Sequence, residues 1–170
     1  MRLFVAVNFN WNTRTKLLAL RDEVRKRSVR GSFVSPENLH LTLAFLDECS
    51  REQVVAAKKA MDKVIFDPFD IFIDSLGRFK RDGSDLWWAG VSESKELLKL
   101  QSNLTDNLIS AGFMLDKKNY KPHITLGRKV VSRLAPRHVE PFGQTISKID
   151  LMQSETIKGD LKYTPIYQVP

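Results

Sequence analysis

The feature of this sequence that most clearly points to chemistry is a tetrapeptide that occurs twice. His-Leu-Thr-Leu occupies residues 40–43, and His-Ile-Thr-Leu occupies residues 123–126. Both segments are predicted to be β-strands, and successive side chains of a strand point to opposite faces of the sheet. Each predicted strand therefore carries an imidazole and a hydroxyl together on one face.

Two imidazoles that face one cleft can divide acid and base work, because histidine titrates near pH 6.5. Opening a five-membered cyclic phosphate needs an activated water on one side of phosphorus and a protonated leaving oxygen on the other. His40 and His123 are candidates for these roles, each contributing roughly 10²–10⁴-fold to the rate. Thr42 and Thr125 are candidate donors to the phosphoryl oxygens. The spacing does not indicate which histidine is the acid.

Other kinds of site find less support in the sequence. A metal site needs further ligands at suitable spacing, and the nearest acidic residues, Asp47 and Glu48, lie beyond the end of the first strand. Cys49 has no obvious base beside it, and neither a G-x-S-x-G nor a P-loop sequence is present. We therefore expect neither a metal nor a cofactor. The structural alternative is a pair of core histidines bonded to neighbouring threonines.

Strict alternation assigns the remaining residues of the two strands to faces. Ala44 and Gly127 are predicted to share a face with the histidines, where their small size would leave room for a ligand. Phe45 is predicted to pack on the opposite face with the leucines. Arg128 is suited to bidentate phosphate binding. Alternation nevertheless places it on the face of Ile124, so it reaches substrate only past the strand end or beyond a bulge.

The pattern along the chain predicts an α+β protein made of two similar halves, each with strand-helix-strand order. A capping box at Ser50 and a stop at Gly112 mark helix ends, and residues 81–84 are typical of a hairpin turn. Residues 132–143, with two prolines, are interpreted as a loop. The predicted helices are 13–28, 50–64 and 94–111, and the predicted strands are 3–9, 31–34, 39–46, 69–76, 86–91, 123–128, 146–153 and 163–169.

The composition is that of a soluble globular protein with a basic surface. The chain has 170 residues, a net charge of +7 and a pI near 9.6, which favours polyanionic partners such as nucleic acid. Its single cysteine excludes an intrachain disulfide, and no apolar stretch is long enough to span a membrane. We expect a cytoplasmic monomer with no membrane association and no obligate protein partner.

Several segments together resemble a known family. They are Arg-Leu-Phe-Val-Ala at residues 2–6, Asn-Leu-His-Leu-Thr-Leu-Ala-Phe-Leu at 38–46 and Lys-Pro-His-Ile-Thr-Leu-Gly-Arg at 121–128, together with 87–91 and 163–165. They are similar to the bacterial RNA 2',3'-cyclic phosphodiesterases of the two-histidine phosphoesterase superfamily, historically called 2'-5' RNA ligases. Asp47 departs from this pattern, because the family usually has glycine there.

The resemblance implies a bilobal fold in which residues 1–170 form one two-lobed domain. Each lobe would be an antiparallel sheet with outer helices, and the cleft would lie between the sheets. It further implies that His40 donates a proton to the leaving O3' and that His123 accepts one from water. The substrate would be an RNA or nucleotide with a 2',3'-cyclic phosphate, the product a 2'-phosphomonoester, and the substrate-binding residues Thr42, Thr125 and Arg128.

Two alternative functions remain at this stage. The same acid and base could run in reverse and join RNA ends through a 2'-5' linkage, which product analysis with paired RNA halves would detect. A non-catalytic RNA-binding module would instead bind RNA in a salt-dependent way that survives loss of both histidines.

Some residues outside the motifs are weaker candidates for contact with RNA. A basic hairpin is interpreted either as a contact for RNA phosphates or as a charged turn in solvent, and His138, which lacks a threonine partner, is interpreted as a solvated side chain. The candidates for base stacking are Phe9, Trp11, Trp87, Trp88 and Tyr120, and the basic hairpin residues are Arg78, Lys80 and Arg81.

Overall fold

The structure, a computed structural model, describes residues 1–117 and 119–170. The predicted α+β architecture is confirmed: two antiparallel sheets are flanked by three α-helices. The helices are α1 (Trp11–Lys26), α2 (Arg51–Asp62) and α3 (Lys95–Ser110). The strands are β1 (Arg2–Asn8), β2 (Ser28–Phe33), β3 (His40–Glu48), β4 (Phe69–Arg81), β5 (Ser84–Val91), β6 (His123–Ser132), β7 (Arg137–Ile146), β8 (Ile149–Ile157) and β9 (Asp160–Val169).

The two lobes do not correspond to the two halves of the chain. The four-stranded sheet has the order β3-β1-β8-β9, so it joins the first strands to the last ones. The five-stranded sheet has the order β2-β6-β5-β4-β7 and takes the middle of the chain. The expectation of two consecutive similar halves is therefore wrong. In each sheet, strands that are distant in the sequence pair with each other, as β1 does with β8 and β2 with β6. One buried apolar cluster extends through both sheets.

Local sequence explains where each helix begins. The side chains of Asn10 and Ser94 accept hydrogen bonds from the third backbone N–H of α1 and α3, and the predicted capping box at Ser50 and Gln53 opens α2. Gly112 follows α3 with a φ of +102°, a conformation that glycine adopts without steric cost. Helix α1 packs on the five-stranded sheet, whereas α2 and α3 pack together against the four-stranded sheet.

The segment 132–143 is mostly strand, which corrects its interpretation as a loop. Strand β7 pairs with β4 from Phe69 opposite Ile146 to Leu76 opposite Arg137. The register shifts between the pairs Ile73–Phe142 and Ser75–His138, and Pro141 lies inside that irregular stretch. Because β7 is also the edge strand, the missing N–H of proline costs no ladder bond to a further strand.

Asp47 adopts the backbone conformation for which glycine is best suited. Its φ is +61°, in the left-handed region, and aspartate is among the non-glycine residues that visit this region most often. Its carboxylate lies 3.5 Å from the guanidinium of Arg2, where both side chains are well exposed. The departure from the expected glycine therefore falls beside a register shift near the end of β3, where Asp47 is paired with Leu3, and leaves the motif residues unchanged.

Candidate active site

His40 is held at the start of β3 by hydrogen bonds at both ring nitrogens. Nδ1 lies 2.7 Å from the backbone oxygen of Asn38, and Nε2 lies 2.8 Å from Oγ1 of Thr42. A carbonyl oxygen only accepts, so Nδ1 carries a proton and the lone pair of the neutral ring is on Nε2. Asn38 is itself buried and donates to the backbone oxygen of Leu161 at 2.9 Å, which fixes the carbonyl that orients the imidazole.

His123 repeats this arrangement at the start of β6. Its Nδ1 lies 2.6 Å from the backbone oxygen of Lys121, again two residues before the histidine, so its Nε2 also bears the lone pair. Each imidazole also contacts two aromatic rings. His40 lies against Phe4 and Tyr163, with ring centroids 4.8 and 5.2 Å away, and His123 lies against Phe79 and Trp88 at 5.1 and 6.4 Å.

Both motif strands contain a bulge at the same position. On β3, Thr42 is paired with Ala6 of β1, and Ala44 is paired with the adjacent Val5. Leu43 is therefore the extra residue. On β6, Thr125 is paired with Trp88 and Gly127 with the adjacent Trp87, so the last leucine of the second motif is extra. A bulge interrupts the alternation of side chains. The residue five positions after each histidine is therefore redirected towards the cleft.

The structure corrects the predicted placement of two residues, Phe45 and Gly127. Phe45, expected on the core face, is 57% exposed and contacts the ring of Phe4 on the cleft side. Ala44 lines the cleft, as predicted, and also packs in the main buried cluster. Gly127 does not leave room for a ligand, because a Cβ there would lie 2.8 Å from the ring of Phe33. Its missing side chain makes room for that ring.

Arg128 reaches the cleft, as the bulge alternative required. It lines the same cavity as His40, Thr42, His123 and Thr125, which has a volume of about 620 Å³ and is called the cleft below. Strict alternation had placed the arginine on the face of the core, and the bulge at the preceding leucine is the reason that it points to the other side. The two sheets thus contribute one histidine and one threonine each, and the five-stranded sheet adds a guanidinium.

Two side chains that the motifs did not reveal support the edge strand β3 from within the cleft. The hydroxyl of Tyr120 donates to the backbone oxygen of Thr42 at 2.8 Å, and Nε2 of Gln101 donates to the backbone oxygen of Leu43 at 3.2 Å. Gln101 also donates to Thr105, one turn further along α3. The only signal for these contacts in the sequence was that two polar residues, Gln101 and Thr105, lie four positions apart beside the apolar stripe of α3.

The remaining candidates from the sequence are spread over the molecule. Tyr120 lines the cleft, whereas Trp87 and Phe9 are buried in the core and Trp11 is 76% exposed away from the cleft. His138 is exposed on β7. The basic hairpin residues Arg78, Lys80 and Arg81 line a different cavity, together with Gly83 and Ser84 of the hairpin turn.

Burial and positive charge shape the acidity of the two histidines. Burial is the largest cause lowering the pKa of His40, the charges of Arg128 and His123 lower it further, and the bond to Asn38 opposes them. Burial also lowers the pKa of His123, again assisted by Arg128 and opposed by the bond to Lys121. Both imidazoles are therefore biased towards the neutral form until an anion binds between them.

Two kinds of feature are absent from the part of the chain that the structure describes. Residues 1–117 and 119–170 contain no group of three or more histidine, cysteine, aspartate or glutamate side chains arranged to hold a metal ion. Within the same residues, no helix has the length and apolar character needed to cross a membrane.

Comparison with known proteins identifies similar sequences and folds. The family model described as LigT like Phosphoesterase matches residues 10–88. A protein from Archaeoglobus fulgidus named RNA 2',3'-cyclic phosphodiesterase is 38% identical over 130 residues, covering 75% of this chain and 72% of that protein. A protein of the same name from Aeropyrum pernix is 30% identical over 165 residues, covering 91% and 94%. The crystal structure of Escherichia coli LigT superposes with a TM-score of 0.84 at 26% identity, covering 99% of this chain and 95% of that one.

Proposed function

Because the chain belongs to the family of the LigT-like RNA 2',3'-cyclic phosphodiesterases, we propose that it hydrolyses a terminal 2',3'-cyclic phosphate of RNA to a 2'-phosphomonoester. The observation that carries the proposal is the pair of imidazoles in one cleft, each with Nδ1 bonded to a backbone carbonyl, so that Nε2 is the nitrogen for proton transfer; on His40 this nitrogen is hydrogen-bonded to the hydroxyl of Thr42. Arg128, which lines the same cleft, supplies the positive charge that an anionic phosphate needs.

The reaction divides between the two histidines. His123 accepts a proton from water on Nε2 as the water oxygen forms a bond to phosphorus. The P–O3' bond breaks, and His40 donates its Nε2 proton to the departing O3'. The product carries a 2'-phosphate and a 3'-hydroxyl, and the two imidazoles have exchanged protonation states.

A lowered pKa makes protonated His40 a stronger acid, and the pKa of His123 is lowered in the same direction, so the two shifts support proton transfer by both rings alike. An imidazolium that is buried and faces two other positive groups gives up its proton more readily than one in water. The anionic substrate offsets this tendency before the reaction, because its negative charge stabilises the protonated ring. The assignment of donor and acceptor therefore rests on the likeness of each motif to the family pattern.

The threonines and Arg128 act on the phosphoryl oxygens. The cyclic phosphodiester carries one negative charge, and further charge develops on its non-bridging oxygens as water attacks. Donors already fixed in the cleft stabilise that charge without reorganisation, which is worth about 10²–10³-fold per donor in comparable sites. This role is supported by the cleft lining, which includes Thr42, Thr125 and Arg128.

We expect a bell-shaped dependence of activity on pH whose position differs between kcat/KM and kcat. In the free enzyme the pKa of both histidines is lowered, so the form with one protonated ring is most populated below the ordinary histidine pKa of 6.5. The optimum of kcat/KM should lie there and fall as pH rises. The bound phosphate anion raises both pKa values, so the alkaline limb of kcat should lie at higher pH. Initial rates from about pH 4 to 9 measure both limbs. An alkaline limb of kcat/KM above the ordinary value would contradict the proposed protonation states.

Phosphorus NMR of the product tests the function directly. The enzyme is incubated in excess chelator with an RNA ending in a 2',3'-cyclic phosphate. We expect complete conversion to the 2'-phosphomonoester, because two histidines and an arginine supply acid, base and charge stabilisation. A 3'-phosphate would overturn the roles given to the leaving oxygens. An unchanged cyclic phosphate that hydrolyses only when a divalent metal is restored would overturn the two-histidine mechanism.

A further inference from the structure

A strongly basic surface adjoins the cleft at one end of the five-stranded sheet. Two cavities of about 580 and 310 Å³ share the turn of the β4–β5 hairpin, where both are lined by Gly83 and Ser84. Arg30 and Lys129 line the first cavity, and Lys80 and Arg81 are among the residues lining the second. These two cavities are called the hairpin groove below.

The hairpin groove is lined by more basic than acidic side chains, so most of its positive charge is not neutralised within the groove. Asp85 lies 3.8 Å from Arg78 and is therefore already engaged by the least exposed of the hairpin cations. Asp82, on the turn, is the other acidic residue that lines the groove. Among the described residues, Arg30, Lys80, Arg81 and Lys129 form no ion pair and are all exposed, so their charge is directed at solvent or at a ligand.

The cleft and the hairpin groove are connected through the strands that they share. Arg128 lines the cleft, and the next residue, Lys129, lines the groove with a φ of +54°. Positive φ is costly for a residue other than glycine, and such strain tends to persist at functional sites. On the other side, Phe79 lines the cleft while the guanidinium of Arg81 lies over its ring at 5.6 Å. An anionic chain leaving the cleft past Arg128 therefore meets a second set of cations.

We propose that the hairpin groove binds the RNA strand on the 5' side of the terminal nucleotide through its phosphates. This inference rests on the proposed function, because a terminal 2',3'-cyclic phosphate leaves the 5' oxygen as the only continuation of the chain. Single-stranded RNA carries one negative charge per nucleotide, so successive phosphates can each pair with one of the exposed cations of the groove. The groove then selects polymeric substrate over a free cyclic nucleotide, while the cleft performs the chemistry.

A charge-neutralised variant tests this division of roles. Arg30→Gln/Lys80→Gln/Lys129→Gln removes three cations of the groove, and Lys59→Gln/Lys63→Gln/Lys95→Gln removes three exposed cations from the helical side of the other lobe. Each protein is assayed with a 2',3'-cyclic mononucleotide and with a short single-stranded RNA ending in the same cyclic phosphate. We expect the groove variant to lose about tenfold or more in kcat/KM on the RNA and to keep its kcat/KM on the mononucleotide. The control variant should resemble the unmodified enzyme on both substrates.

The salt dependence gives an independent measurement. For single strands, each phosphate contact contributes about −0.7 to the slope of log binding constant against log salt. Fluorescence anisotropy with RNA ending in a 2'-phosphate, which needs no turnover, should show a slope smaller by about 2 in the groove variant. Equal slopes, or equal losses in the groove and control variants, would overturn the inference while leaving the proposed function intact. Failure of the unmodified enzyme on both cyclic substrates would instead overturn the proposed function, and the anisotropy would still decide the groove.

Discussion

His123→Ala is expected to lower kcat by about 10²–10⁴-fold on a 2',3'-cyclic phosphate, and His40→Ala by a similar factor. Each substitution removes one of the two proton carriers but leaves the strand that holds it intact, because both rings are half-buried and face the cleft. Steady-state rates with a cyclic mononucleotide measure the effect. The double variant should be little slower than either single variant, since acid and base act as one unit.

The third histidine provides a matched control. His138 is exposed on β7 and does not line the cleft, so His138→Ala should retain the full rate. Circular dichroism and thermal unfolding of all three variants separate loss of chemistry from loss of fold. Undiminished turnover by either cleft variant would exclude that histidine from proton transfer, and a loss in His138→Ala would show that the effect is general.

Arg128→Gln is expected to cost about 10²–10³-fold in kcat/KM, because in the proposed mechanism the guanidinium stabilises negative charge that develops on the non-bridging phosphoryl oxygens. Arg128→Lys should recover part of this loss, since an ammonium keeps the charge but not the bidentate geometry. The same substitution to glutamine should also move the pH profile of kcat/KM to higher pH. The charge of Arg128 contributes to the lowered pKa of both histidines, so its removal lets both pKa values rise.

The shift of the pH profile distinguishes an electrostatic role of Arg128 from a structural one. Arg133→Gln, just beyond the end of β6, removes an equal charge from an exposed position outside the cleft and serves as the control. A fall in rate without any movement of the profile would mean that Arg128 only shapes the cleft. An unchanged rate would remove it from the substrate-binding residues.

Local rules were sufficient to predict the parts of the fold that depend on neighbouring residues. The start of α2 followed from the cap at Ser50, the end of α3 from Gly112, and the hairpin turn from Asp82 and Gly83, all of which act within a few residues. Helix α1 begins at Trp11, two residues before its predicted start, because its cap at Asn10 was not recognised in the sequence. The pairing of His40 with His123 in one cleft was also predictable, because the repeated tetrapeptide is a property of the sequence itself.

What was not predictable depends on pairing between distant strands. The bulges at Leu43 and Leu126 exist only in relation to β1 and β5, so alternation alone misplaced Phe45 and left Arg128 undecided. Strand β7 escaped detection because Pro141 is unfavourable in a strand unless that strand is irregular and lies at an edge. The contribution of Gln101 required knowledge of how α3 lies against β3.

The hydrogen bonds that Tyr120 and Gln101 make to β3 also affect how the molecule meets other copies of itself. An edge strand with free carbonyls is a template for strand addition and hence for aggregation. On β3 the carbonyls of Thr42 and Leu43 already accept side-chain hydrogen bonds, and the bulge at Leu43 interrupts the regular ladder that an incoming strand would need. The strand that carries His40 and Thr42 is thereby protected from β-augmentation by the side chains that hold it in place.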